Sequence, residues 1–175
     1  MNGDLRDKAR SALRKIEELS LQIPGFTGYK EREIRREADK LLRMKLARDY
    51  EKQLRRLSGL QLELTNRGRL APLITLERAV MKLQLLIDRI KTASYGYSGF
   101  FDAVKIKEEQ LDALYDFDSE LAEGVTRIST LLDQLASTIE AEESTAQQAG
   151  NLVALLDELN NTWSRRQDVV LEIEA

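Results

Sequence analysis

Apolar residues recur in a strict alternation of four and three positions in the last third of the chain, and this spacing is the strongest constraint on the fold. The series runs from Leu121 to Trp163, with Glu142 and Asn160 at two of its positions. Apolar residues that repeat every 3.5 positions form a seam along one face of an α-helix, and that seam has to pack against another helix. The spacing therefore predicts a helical bundle or coiled coil.

Residues 140–150 leave two architectures open, because no glycine or proline marks a turn between Glu142 and Thr145. One is an unbroken helix of roughly 60 residues, about 90 Å long, which needs a partner chain. The other is a hairpin that turns near Glu142–Thr145, with Thr145 capping the second helix and Gln148 reaching back as in a capping box. The charged residue in the seam and this capping pair favour the hairpin.

Apolar spacings of three and four residues also mark amphipathic helices earlier in the chain. Hydrophobic residues make up 42% of the chain and there are only two prolines, a composition typical of helical proteins. We predict an all-α fold, a single domain over residues 1–175 that forms an elongated helical bundle or antiparallel coiled coil of four to five helices. Its predicted parts are basic helices at residues 3–22, 30–68 and 72–94, an aromatic and glycine-rich loop at 95–102, and acidic helices at about 107–141 and 145–172. Gly68 suits the left-handed position after a helix, and Pro72 suits the first turn of the next helix.

Charge is divided unevenly along the chain. Residues 1–70 carry 18 Lys and Arg against 11 Asp and Glu, whereas residues 107–175 carry four against 16. Since opposite charges attract, the two parts are expected to lie side by side. We predict that the long basic helix packs beside the acidic helix that begins near Glu108. The alternative is that the basic part binds an external anionic partner.

Two groups of side chains are candidates for an interaction site. The first lies on the long basic helix, on the face opposite Ile34, Ala38 and Leu41, and is predicted to be solvated; it contains Arg32, Arg36, Lys40 and Arg43. The second lies in the aromatic loop and contains Tyr95, Tyr97, Phe100 and Phe101. We expect Phe100 and Phe101 to be mostly buried against the helices, because burying such rings stabilises a fold strongly. The alternative is an exposed docking patch.

The composition argues against enzyme chemistry. The chain has no cysteine and no histidine, which excludes disulfides, thiolate zinc sites, imidazole ligands and the usual pairs of nucleophile and base. Asp112, Asp116 and Glu120 share a helix face, with Asp118 nearby, but they lack the glycine turn of a calcium loop. They are predicted to be solvated acids that face the basic part. We predict no catalytic residue, no metal or cofactor site and no small-molecule substrate.

No segment has the roughly 18 apolar residues of a membrane span, and the start has no apolar stretch of signal-peptide length, so we expect a cytoplasmic protein. The predicted function is a non-enzymatic protein-interaction or structural scaffold module that associates with itself or with another helical protein. The alternative is a peripheral binder of anionic membrane or nucleic acid. That alternative uses the basic amphipathic stretch Leu5–Lys15 and the basic face from Arg32 to Arg56.

Overall fold

A computed structural model describes residues 27–93 and 108–174, with side chains over residues 39–93, 113–114 and 116–169. It contains four helices, α1 (Thr27–Asn66), α2 (Leu73–Thr92), α3 (Glu108–Glu140) and α4 (Ala146–Glu174). No strand occurs in these ranges, and the predicted all-α bundle is confirmed. The predicted bounds of these four helices are close to the observed ones. The helix predicted at residues 3–22 and the loop at 95–102 lie outside the described residues.

The helices pack as a bundle in which α1 and α4 occupy one diagonal and α2 and α3 the other. Both α1 and α4 contact α2 and α3, but α1 and α4 do not pack directly along their backbones. Tyr50 on α1 meets Leu121 on α3, and further along both helices Arg56 meets Asp133. Thus α1 and α3 run in the same direction. The basic helix lies beside the acidic one, as the charge distribution predicted.

Among the residues that the structure describes, the buried core is aliphatic apart from one tyrosine and one tryptophan. Its fully buried members include Tyr50, Leu57, Leu64, Leu76, Leu83, Leu86, Ile90, Leu121, Ile128, Leu132, Leu135, Ile139, Leu156, Leu159 and Trp163. The predicted seam from Leu121 to Trp163 is therefore the core face of α3 and α4. Two seam positions, Glu142 in the turn and Ala146 at the start of α4, are exposed because they lie at the end of the bundle.

The predicted hairpin between the acidic helices is confirmed, and Glu142 forms its turn with a φ of 57°. The Glu143 N–H donates to Thr138 O at 3.1 Å, and the Glu142 N–H donates to Ile139 O at 3.2 Å. These are the two hydrogen bonds of a Schellman ending, in which the residue after the helix adopts left-handed backbone angles. Gly68, with a φ of 70°, ends α1 in the same way, as its sequence position predicted.

The predicted capping box at the start of α4 is wrong. In a capping box the Gln148 side chain accepts a hydrogen bond from the Thr145 N–H. The Gln148 Oε1 is instead buried and has no hydrogen-bond partner among the described residues. The hairpin therefore depends on the left-handed residue that ends α3 and on apolar packing of the two helices.

Replacing Glu142 by Gly is expected to raise the free energy of unfolding by about 1 kcal/mol. The left-handed conformation costs a residue with a side chain about 1–2 kcal/mol, and glycine avoids most of that cost. Urea denaturation of the two proteins measures the difference. Glu143→Gly is the control, because Glu143 is exposed and has no positive φ. An equal increase in the free energy of unfolding in both variants would contradict the view that the left-handed backbone at Glu142 is strained.

Gly124 lies on the core face of α3, where that helix meets α1 and α4. A Cβ atom placed on it lies 2.5 Å from Leu159 Cδ2 and 2.9 Å from the Tyr50 hydroxyl. That hydroxyl donates a hydrogen bond to Leu121 O at 2.6 Å, so it is not free to move aside. Glycine at this position therefore permits the close approach of the three helices.

Replacing Gly124 by Ala is expected to lower the free energy of unfolding by about 1–3 kcal/mol, since the extra methyl group overpacks the core. Gly150 is the matched control, because it is also within a helix but exposed, with no atom within 4 Å of an added Cβ. Gly150→Ala is expected to raise stability by about 1 kcal/mol through helix propensity alone. Thermal denaturation of both variants checks the opposite signs, and two shifts in the same direction would refute the argument.

Candidate functional site

A network of four charged side chains lies inside the bundle near the C-terminal end of α2. Arg166 on α4 is 1% exposed. Its Nε donates to Asp118 Oδ1 on α3 at 2.7 Å, and its Nη2 donates to Asp39 Oδ1 on α1 at 2.8 Å. Because α1 and α4 lie on a diagonal, this side chain spans the centre of the bundle. Its guanidinium also lies 5.3 Å from the ring centroid of Trp163, within the range of a cation–π contact.

Arg43 connects this network to α2. Its Nε donates to Asp39 Oδ2 at 2.8 Å, and its Nη1 donates to Ala93 O at 2.6 Å. Ala93 caps the C-terminal end of α2, where carbonyl groups lack helical partners and a positive charge is favourable. The network therefore contains one side chain from α3, one from α4 and two from α1, and it reaches the backbone of α2.

The prediction that Arg43 lies on a solvated face is wrong. Arg43 is 9% exposed, whereas Leu41, which was assigned to the opposite apolar face, is 63% exposed. The buried face of α1 contains Ala47 and Tyr50, and Arg43 precedes them by four and seven positions. The helical period therefore brings Arg43 to the core, where its Nε donates to Asp39 and its Nη1 donates to Ala93 O.

The electrostatics of the network reflect burial. Removal from water raises the pKa of Asp118, and the nearby Asp39 carboxylate adds to that increase while Arg43 opposes it. Removal from water also lowers the pKa of Arg166, against the effect of Asp39. Two guanidiniums face two carboxylates, and each group is held by another member of the network. This arrangement joins α1, α3 and α4 through their charged side chains.

The other candidate interaction residues are only partly described. Lys40 is exposed, as predicted. The side chains of Arg32 and Arg36 are not among those described, and the aromatic candidates Tyr95, Tyr97, Phe100 and Phe101 lie outside the described residues, so their burial or exposure stays a prediction. The end of α2 at Thr92 does fall partway along α1, as the predicted helix lengths indicated.

The acidic row on α3 is divided between solvent and core. Asp116 is exposed, whereas Glu120 accepts a hydrogen bond from the Thr162 hydroxyl at 2.7 Å. Asp118 lies inside the bundle against Arg166, so its predicted solvation is wrong. The reason is that Arg166 supplies a buried cation that the sequence analysis did not place. No group of three acidic side chains that could hold a metal ion occurs in the described ranges.

The outer face of α1 is basic. Its exposed cationic side chains are Lys40, Lys45, Arg48, Lys52 and Arg55. Lys45 is partly balanced by Asp49 at 3.0 Å. By contrast, Arg56 lies beside α3, where its Nη1 donates to the Ser129 hydroxyl at 2.8 Å. The part of the predicted basic face beyond Arg43 is therefore solvated, except where α3 covers it.

An exposed apolar surface lies on the outside of α2, and the sequence analysis did not predict it. Ile74, Met81 and Leu85 are 78%, 65% and 51% exposed. They share a face with two exposed charged residues, Arg78 and Asp88. We call these five residues the α2 outer face. Their spacing of three and four positions could have predicted this face. The core face of α2 has the same spacing, so the sequence alone does not distinguish the two.

Apolar surface extends from the α2 outer face toward α1. Leu62 on α1 is 62% exposed, and it lines with Ile74 and Leu73 a shallow groove of about 600 Å³. Leu70, in the connection between the two helices, is also exposed. No helix among the described residues is long and apolar enough to cross a membrane. Apart from Leu41, the large exposed apolar side chains of the described residues lie along α2 and its junction with α1.

The chain matches no protein-family model, no curated protein and no solved structure.

Proposed function

We propose that the chain is a non-enzymatic protein-interaction or structural scaffold module that binds helical partners through the α2 outer face. The observation that carries this proposal is the exposure of Ile74, Met81 and Leu85 along one side of a single helix. Isolated exposed apolar residues are common on folded proteins, but a contiguous apolar surface marks an interaction site. Spacings of seven and four positions fit the side of another helix.

The interior of the bundle supports the non-enzymatic part of the proposal. The chain lacks histidine and cysteine, the usual sources of a base or a nucleophile near neutral pH. The charged residues that are buried, Arg43 and Arg166, hold carboxylates and helix carbonyl groups. These two side chains connect the helices from inside the bundle, and α2 lies at the surface of the bundle that they stabilise.

Amine-reactive cross-linking in a native extract tests the proposed surface. Lys82 and Lys91 lie on α2 beside the outer face, with side chains 29% and 39% exposed. If another protein or a second copy binds there, intermolecular cross-links are expected at these two lysines. The substitution Met81→Glu is expected to abolish them, because it places a charge in the centre of the apolar surface.

Gln134→Glu is the matched control for that experiment. It adds the same charge at an exposed position on α3, away from α2, and is expected to leave the cross-links unchanged. Intermolecular cross-links that persist in Met81→Glu, or that are absent from Lys82 and Lys91 in the wild-type protein, would overturn the proposed surface.

The basic outer face of α1 favours a second candidate function, the binding of an anionic membrane or nucleic acid. The triple substitution Arg48→Glu, Lys52→Glu and Arg55→Glu reverses its charge without touching the core. Vesicles rich in phosphatidylserine and random double-stranded DNA are the probes, each at two salt concentrations. Binding through this face should weaken steeply with salt, as contacts to phosphates do, and should be lost in the triple variant.

A further inference from the structure

We infer that the α2 outer face pairs with the same face of a second copy of this chain, with the two α2 helices antiparallel. This inference rests on the proposed function and specifies its partner. The resulting dimer has twofold symmetry, so each contact occurs twice.

The α2 outer face has the register of a coiled-coil seam. Ile74, Arg78, Met81, Leu85 and Asp88 follow the alternation of four and three positions of a coiled-coil seam, and Thr92 continues it. All of these residues are exposed on the side of α2 that faces away from the bundle. Helix α2 has 20 residues, about 30 Å at 1.5 Å per residue, so the seam covers nearly its whole length.

The two charged residues in that seam lie symmetrically on either side of its apolar centre. Arg78 lies three positions before Met81, and Asp88 lies three positions after Leu85. In an antiparallel pair of α2 helices, each residue of the seam faces a residue from the opposite end of the partner's seam, and we call each facing pair a layer. Met81 then faces the partner's Leu85, and Arg78 faces the partner's Asp88. Both charges are then neutralised at the edges of an apolar centre.

A parallel pair has the reverse consequence. Each residue of the seam then faces its own counterpart, so that Arg78 meets the partner's Arg78 and Asp88 meets the partner's Asp88. Like charges opposed in this way are strongly unfavourable at an interface. The same two side chains therefore favour the antiparallel orientation and disfavour the parallel one, which is how polar residues within a seam select orientation.

Both charged groups of the seam are accessible. In the part of the chain that the structure describes, Arg78 makes no hydrogen bond or ion pair. Asp88 accepts a hydrogen bond from the Gln84 side chain at 2.8 Å, and a carboxylate has further acceptor sites. Lys82, in contrast, is already paired with Asp157 of its own chain. Pairing of the outer faces therefore requires no contact within the bundle to be broken.

The test exchanges the two charges in the full chain and measures mass by sedimentation velocity over a range of concentrations. The wild-type protein is expected to dimerise. Arg78→Asp places two carboxylates in each charged layer, Asp88→Arg places two guanidiniums there, and each variant is expected to dimerise at least about tenfold more weakly. The double variant R78D/D88R restores opposite charges and is expected to dimerise like the wild type.

Mixing the two single variants gives the sharpest outcome. A chain with Arg78→Asp complements a chain with Asp88→Arg in both charged layers, because each layer then holds one carboxylate and one guanidinium. Equimolar mixing of the two weakly associating proteins is therefore expected to produce a heterodimer with one chain of each kind. Helix content and melting temperature serve as folding controls, and they should match the wild type because both positions are exposed.

Three results would overturn the inference. These are a wild-type protein that stays monomeric at all concentrations, single variants that dimerise as well as the wild type, and a mixture that forms no heterodimer. If the wild type is monomeric while cross-links from Lys82 and Lys91 to another protein persist, the proposed function stands and self-pairing fails. If the dimer forms but Met81→Glu leaves it unchanged, the α2 outer face is not the dimer interface and self-pairing through it fails, while the cross-links at Lys82 and Lys91 still decide the proposed function.

Discussion

Replacing Arg166 by Met is expected to lower the free energy of unfolding by about 3–5 kcal/mol, because it removes one partner from a buried set of ion pairs. Met has similar length and fills much of the same space, so the loss is chiefly electrostatic. Asp118 and Asp39 would keep their places inside the bundle without the guanidinium that now hydrogen-bonds to both. Urea denaturation followed by circular dichroism measures the change.

Arg165 is the matched control, since it is the neighbouring arginine on the same helix. Its side chain is 60% exposed and lies 3.7 Å from Glu120. Ion pairs of this kind contribute about 0–1 kcal/mol, so Arg165→Met is expected to leave stability nearly unchanged. Similar losses in the two variants would show that the buried position of Arg166 is not what makes it important.

The loss caused by Arg166→Met should depend on pH. Burial already raises the pKa of Asp118 in the wild-type protein, and removal of the guanidinium raises it further. The folded variant then holds protons that the unfolded chain, with a carboxyl pKa of about 4, has released. Its free energy of unfolding therefore falls as the pH rises above about 4. The difference from the wild type should be largest near neutral pH, and a constant difference would exclude the carboxylates as the cause.

The helices and their order could be predicted because their signals are local. Periodic apolar residues, Gly68 and the charge in the seam at Glu142 indicate helices and ends within a few positions of one another. The pairing of α1 with α3 followed from net charge over long segments. These features can be predicted without knowledge of contacts between residues that are distant in the sequence, and the structure confirms them.

The buried network could not be predicted in the same way. Asp39 and Arg166 are separated by 127 positions and lie on helices that occupy a diagonal of the bundle. In the sequence each looks like an ordinary surface charge, since charged residues are rarely buried. A weak signal existed at Arg166, because Leu159 and Trp163 place it on the same face by steps of four and three. A charged arginine is stable at that buried position only because two carboxylates pair with it.

The α2 outer face illustrates a different difficulty. Helix α2 has apolar residues on both sides, so its periodicity fits a core face through Leu76, Leu83 and Ile90 and a second face through Met81 and Leu85. A helix that is apolar all round is usually buried all round. The structure instead covers one face and exposes the other, and the proposed interaction surface rests on that asymmetry.

Replacing Trp163 by Ala is expected to lower the free energy of unfolding by about 3–5 kcal/mol, through lost burial and the cavity left behind. Trp163 is completely buried in the seam of α4. Its Nε1 has no hydrogen-bond partner in the described part of the chain, so Trp163→Phe sacrifices only volume and should cost much less. Circular dichroism has to follow the unfolding, because the variants lack the only tryptophan.

The double variant of Trp163 and Arg166 connects this prediction to the first. The guanidinium lies against the indole ring, so Trp163→Ala opens a space through which water can reach the ionic network. Since the two side chains share one environment, the double variant W163A/R166M is expected to lose less stability than its two single losses together. Losses that add within about 0.5 kcal/mol would show that the two residues act independently. In that case the ionic network would be stable without the ring that now covers it.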